Sequence, residues 1–149
     1  MKNILLIFIL LFYVNTIQNP KIIFSPPQEN NTLFYFIKDW INTPYRLGGT
    51  NKRGVDCSAF IRKLYEEVYD TYLPRTAYHQ YKISRRIKKR DLEKGDLVFF
   101  KTMGKNPWHV GMYLGSGLFI HSSINFGVTV SSMGDMYYRS IYFAAGRII

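Results

Sequence analysis

The apolar residues of this chain change period once, near Gly95-Asp96, and that switch limits the folds open to it. Upstream, Leu33, Phe36, Ile37, Trp40 and Ile41 recur at helical spacing, with Asn31 or Thr32 available as N-cap and Pro44 forbidding continuation. Cys57, Phe60, Ile61, Leu64, Tyr65 and Val68 repeat the pattern on one face of a second helix, and Asp56 stands where its N-cap belongs. After Leu73-Pro74 a shorter helical stretch, capped by Thr76, is predicted to run through a basic block. The turn-rich Asp91-Leu92-Glu93-Lys94-Gly95-Asp96 closes this half. Downstream, Leu97 to Phe100, Trp108 to Leu114, Leu118 to Ser122, Gly127 to Ser131 and Ile141 to Ile149 are short apolar or alternating runs, the mark of strands. Helices first and strands second predict an α+β domain with N-terminal helices packed on an antiparallel β-sheet.

The 149 residues suffice for one such domain and are too few for two. Residues 1–19 carry a targeting signal: Met1-Lys2-Asn3, an unbroken apolar run from Ile4 to Val14, then polar Asn15 and Thr16. The run is short for a bilayer span and fits a secretory signal peptide. Asn15 to Asn19 gives no clean small-x-small cleavage site, so an uncleaved N-terminal membrane anchor is the other reading. A core helix would show a polar face, and this segment shows none. Residues 20–31, with three prolines, read as a linker, and residues 32–149 as the domain. Export to the periplasm or cell envelope is the expectation.

Twenty Lys and Arg against ten Asp and Glu give a net charge of +10, which draws the protein to anionic surfaces. The densest block, Lys82 to Arg90, holds six cations in nine residues. It is either a solvated basic face or a contact for anionic membrane or cell-wall polymers, which an exported chain meets before nucleic acid. No nucleic-acid partner is expected.

Cys57 is the only cysteine, so an intramolecular disulfide is excluded and its role is packing, metal ligation or nucleophilic attack. His79, His109 and His121 are not spaced with it as a structural zinc site requires, and no metal is expected. The first turn of a helix favours a thiolate through unpaired N–H groups and the positive end of the dipole. In Trp108-His109-Val110-Gly111-Met112-Tyr113-Leu114, strand alternation puts His109 on the face of Gly111 and Tyr113, away from Val110 and Met112. A three-residue hairpin loop, Gly115-Ser116-Gly117, would set Leu114 opposite Leu118 and Gly111 opposite His121. His109 and His121 then become diagonal neighbours, with Gly111 leaving room for two rings. An even-numbered loop would put them on opposite faces. If the start of the Cys57 helix packs over the histidine face, His109 takes the thiol proton and returns it to the leaving amine, while His121 holds the tautomer.

Six segments in order carry a resemblance: Thr43-Pro44-Tyr45-Arg46-Leu47-Gly48-Gly49, Val55-Asp56-Cys57-Ser58-Ala59-Phe60, Leu73-Pro74-Arg75-Thr76, Gly95-Asp96-Leu97-Val98-Phe99-Phe100, His109-Val110-Gly111-Met112-Tyr113 and Phe119-Ile120-His121. From about Thr32 to Ile149 the chain resembles the NlpC-type cell-wall peptidases, papain-like cysteine enzymes of bacterial peptidoglycan. The resemblance implies Cys57 as nucleophile, His109 as base and His121 as orienting residue, with no metal or organic cofactor. It places Tyr45 beside the thiol, forming the oxyanion region with the Cys57 N–H, and Asp56 and Ser58 in the cleft toward substrate amine or carboxylate groups. Arg75 also matches, as a substrate contact or a helix brace. Two positions depart from the pattern: Ala59 replaces a glycine, and Arg85 to Arg90 replaces a glycine-containing approach to a strand. The implied activity is endopeptidase hydrolysis of an amide in a peptidoglycan stem peptide or crosslink through a Cys57 acyl-enzyme, with specificity in loops such as Thr102 to Pro107. Interception of the acyl-enzyme by an amine or alcohol would make it an acyltransferase. A non-catalytic basic wall-binding module is a third reading, disfavoured by an intact cysteine and histidine pair.

Overall fold

The computed structural model describes residues 31–101 and 104–148. The predicted targeting segment, and the linker apart from Asn31, lie outside them. Helix α1 is Asn31–Trp40, so Asn31 and Thr32 lie inside the helix and neither caps it. The glycine-rich loop after Pro44 is tied by a two-stranded ribbon, β1 (Thr50–Asn51) and β2 (Gly54–Val55). Helix α2, Cys57–Tyr69, starts where cap and periodicity place it, with Asp56 accepting from the Ala59 N–H. Helix α3, Ala77–Ile83, is capped by Thr76.

The basic block does not continue α3. The chain leaves the helix at Ser84, in extended conformation, and enters strand β3, Arg85–Ile87, followed by a 3₁₀ turn at Lys89–Asp91. The reason is tertiary: β3 completes the open edge of the last strand, pairing Arg85 with Arg147, Arg86 with Gly146 and Ile87 with Ala145. Strands β4 (Leu97–Phe100), β5 (His109–Gly115), β6 (Leu118–Ser123) and β7 (Gly127–Ser132) follow. A short helix α4, Met136–Ile141, capped by Asp135, occupies ground not predicted as helical. It ends where the last predicted strand was to begin, and β8 is Tyr142–Arg147. The six-stranded sheet has the order β3-β8-β4-β5-β6-β7, every neighbour antiparallel.

Alternation gives the sheet two apolar faces. Leu97, Phe99, Val110, Met112, Ile120 and Val128 pack with Phe60, Ile61 and Leu64 of α2. Each such side chain withdrawn from water stabilises the fold by about 1.5 to 3 kcal/mol. Val98, Phe100 and Phe119 form the opposite face, covered by Tyr138 and Ile141 of α4. The body of helix α2 therefore lies against Val110 and Met112, on the sheet face away from the histidines. The apolar side of β5 seats the apolar side of the helix, and the helix tip reaches the strand's entry at Trp108.

Candidate active site

The β5–β6 hairpin turns on two residues, Ser116 and Gly117, both at positive φ (51° and 75°), as a type I′ turn requires. This even count would have separated the histidines. A bulge restores the parity: Tyr113 pairs with Phe119, Leu114 is passed over, and Gly115, at φ 97°, pairs with Leu118. The predicted Leu114–Leu118 pair is therefore absent, while the register beyond the bulge, Met112 opposite Ile120, points Gly111 at His121. The space at Gly111 is needed, since a Cβ there would lie 2.7 Å from the Phe119 ring and 3.3 Å from the His121 Cβ. His109 Nε2 and His121 Nδ1 are 2.7 Å apart, with the rings nearly perpendicular at 85°.

The β5–β6 ladder runs from the turn as far as Met112 and Ile120. Beyond it, Cys57 meets the β5 backbone: its thiol lies 3.7 Å from the Trp108 carbonyl oxygen. The thiol thus meets the peptide group that precedes His109. Burial pushes Cys57 up to about 11 despite the N–H groups of Val110, Ser58 and Cys57 itself, which favour the thiolate. Burial likewise pushes His109 down to about 4, and burial plus the neighbouring His109 push His121 down to about 3. The helix start acts in the expected direction, yet desolvation outweighs it, and burial favours the neutral form of both the thiol and the imidazole.

Asp56 holds the helix tip in place. Its buried carboxylate accepts from the Ala59 N–H (2.9 Å), the Gly48 N–H (3.1 Å), the Ser58 hydroxyl (3.1 Å) and both terminal nitrogens of Arg75 (3.0 and 2.6 Å). Arg75 also donates to the Ser58 hydroxyl at 3.1 Å. Burial alone would raise the Asp56 pKa; Arg75 and the Ala59 N–H outweigh it and hold the carboxyl below its ordinary range. Asp56 and Ser58 are thus turned onto Arg75, whose side chain stays about one third exposed. Tyr45, bridged to Val55, has its phenol pKa raised by burial and by the nearby Cys57 and Asp56.

Two groups beyond the predicted set complete the histidine pair. His121 Nε2 lies 2.9 Å from the Ser131 hydroxyl and 3.3 Å from that of Tyr138. Ser131 was legible in principle, because Thr129 pairs with His121 and Ser131 is the next residue on that face. Tyr138 had a weaker signal, the Asp135 cap of an unpredicted helix. Among the described residues no group of His, Cys, Asp and Glu could hold a metal ion.

A helix-starting cysteine against the β5 backbone and a histidine pair on an antiparallel sheet mark an α+β domain of the papain-like class. The chain belongs to the NlpC/P60 family, whose model matches residues 42–147. The probable endopeptidase NlpC homolog of Haemophilus influenzae is 46% identical over 111 residues, 74% of this chain and 58% of that protein. The murein DD-endopeptidase MepS/murein LD-carboxypeptidase of Escherichia coli is 39% identical over 111 residues, again 74% of this chain and 58% of that protein. A crystal structure of an NlpC/P60 family protein from Bacillus cereus aligns with a TM-score of 0.73 and 30% identity, over 83% of this chain and 41% of that one. This chain therefore spans little more than half the length of these two curated relatives.

Proposed function

We propose that the protein is a cysteine endopeptidase that hydrolyses an amide bond in a stem peptide or crosslink of peptidoglycan. The carrying observation is the thiol bonded to the Trp108 carbonyl oxygen, one residue before His109, whose Nε2 is engaged by His121. That engagement leaves Nδ1 of His109 to serve the thiol. As Cys57 Sγ attacks the carbonyl carbon, its proton passes to His109, a general-base step that needs no standing thiolate. Tyr45 and the Cys57 N–H stabilise the oxyanion. The tetrahedral species then expels the amine, which takes the proton from His109 and leaves a thioester on Cys57. Water gives a proton to His109, adds to the thioester and releases the carboxylate as sulfur recovers its proton. Arg75 offers its exposed part to a substrate carboxylate, while Asp56 and Ser58 hold it.

The substrate class is supported by the murein endopeptidase name of the Escherichia coli relative. Export through residues 1–19 would bring the domain to the envelope. Within the described residues, no helix is long and apolar enough to cross a membrane. The exposed cations from Lys82 to Arg90 suit anionic wall polymers or membrane surfaces. The test is mass spectrometry of crosslinked peptidoglycan incubated with the parent protein, Cys57→Ser and His109→Ala. New fragments from the parent alone support the reading and name the bond. Intact wall in every tube refutes it for that substrate; products carrying an added amine or alcohol in place of water indicate acyl transfer.

A further inference from the structure

His109 can accept a proton from Cys57 only at a nitrogen that does not already carry one. With Nε2 of His109 bonded to Nδ1 of His121, two proton arrangements satisfy the 2.7 Å contact. In one, His121 donates from Nδ1, His109 accepts at Nε2, and the His109 proton sits on Nδ1, where it blocks the base. In the other, His109 donates from Nε2 and keeps Nδ1 free, which requires His121 Nδ1 to be an acceptor and its own proton to reside on Nε2. That Nε2–H needs an acceptor in a pocket where His121 is 1% exposed.

The acceptors there are hydroxyls, from Ser131 on β7 at 2.9 Å and Tyr138 on α4 at 3.3 Å. A hydroxyl rotates and can accept the Nε2–H at its oxygen lone pairs while its own proton turns away from the ring. The titratable groups facing His121 are His109 from β5 and Tyr138 from α4; the Phe119 ring, 4.7 Å away between centroids, covers it from its own strand. We propose that the Ser131 and Tyr138 hydroxyls are positioning groups that accept the His121 Nε2 proton and so hold the histidine pair in the one arrangement that leaves His109 a base. The assignment rests on the peptidase reading of Cys57 and His109, and extends the line from sulfur through two imidazoles to a strand and a helix.

Imidazole ¹⁵N NMR on the whole protein tests it without turnover. In the parent, His109 and His121 are each protonated at Nε2 and unprotonated at Nδ1. In the double variant Ser131→Ala/Tyr138→Phe the two tautomers mix. Tyr138→Phe keeps the ring packed on Phe100 and Phe119, so the fold is retained. With peptides released from crosslinked peptidoglycan as substrate, kcat of the double variant falls on the order of tenfold, with KM changed by less than about twofold. Each single variant keeps one acceptor and loses about threefold, and Ser131→Thr recovers most of what Ser131→Ala loses. A parent His121 protonated at Nδ1, or a double variant with unchanged kcat, overturns the proposal. A parent that cleaves nothing refutes the peptidase reading instead, and the NMR result still decides the tautomer.

Discussion

Burial sets the working state of Cys57 and His109. Desolvation pushes the thiol up to about 11 and the imidazole down to about 4, so between these limits both groups are neutral. The ascending limb of kcat/KM against pH is therefore expected near 4, because below that value His109 already carries the proton it must accept. A limb near the ordinary histidine value of 6.5 would show that His109 is not desolvated in the free protein. Cys57→Ser and His109→Ala are each expected to lower kcat by at least about a thousandfold with the fold retained, checked by turnover and circular dichroism. The places of these two residues, at a helix start and on a strand face, were legible because cap, period and parity are local rules. Ser131 and Tyr138 were not read, because their role depends on β7 and α4 meeting one imidazole nitrogen.

The elements carry the site through a few backbone decisions. Gly111→Ala would press a Cβ against the Phe119 ring, the Ile120 carbonyl oxygen and His121, and is expected to destabilise the protein by about 1 to 3 kcal/mol. Denaturant melts read the loss, and a loss of activity beyond it reports displacement of His121. Asp56→Ala removes the α2 cap and strands Arg75, so a loss of at least about 1 kcal/mol is expected, with Cys57 alkylation slowed or quickened as the helix tip shifts. An unchanged melt would show that the cap contributes nothing. The helix starts at Cys57 and Ala77 and strand β4 could be read directly, since each has a local signal. The hairpin was read with the right parity and the wrong turn, because a two-residue loop and a one-residue bulge together leave the facing of the histidines unchanged. Strand β3 was missed for a different reason: Arg85-Arg86-Ile87 has no strand pattern of its own and is a strand only because β8 offers it an unpaired edge.

At the scale of the whole molecule, helix packing on one sheet face and the histidine cluster on the other place the proposed catalytic groups among those that set stability. Both histidines have folded pKa values below the ordinary 6.5, so the unfolded chain takes up their protons first. Their contribution is complete above about pH 6.5 and is lost as pH falls toward about 4 and then about 3. Asp56, also held low, adds a loss of the same sign at still more acid pH. Tm is therefore expected to decline as pH falls from 7 to 4, and a flat profile would contradict burial of neutral imidazoles. The proposed reaction passes through a covalent step in which the substrate acyl group is transferred to Cys57. Rapid acid quench followed by intact-protein and peptide mass spectrometry tests it most directly. A transient adduct of the acyl fragment's mass is expected on the peptide containing Cys57, absent in Cys57→Ser, which releases no product. Product release by Cys57→Ser at the parent rate, or an adduct on another residue, would contradict it.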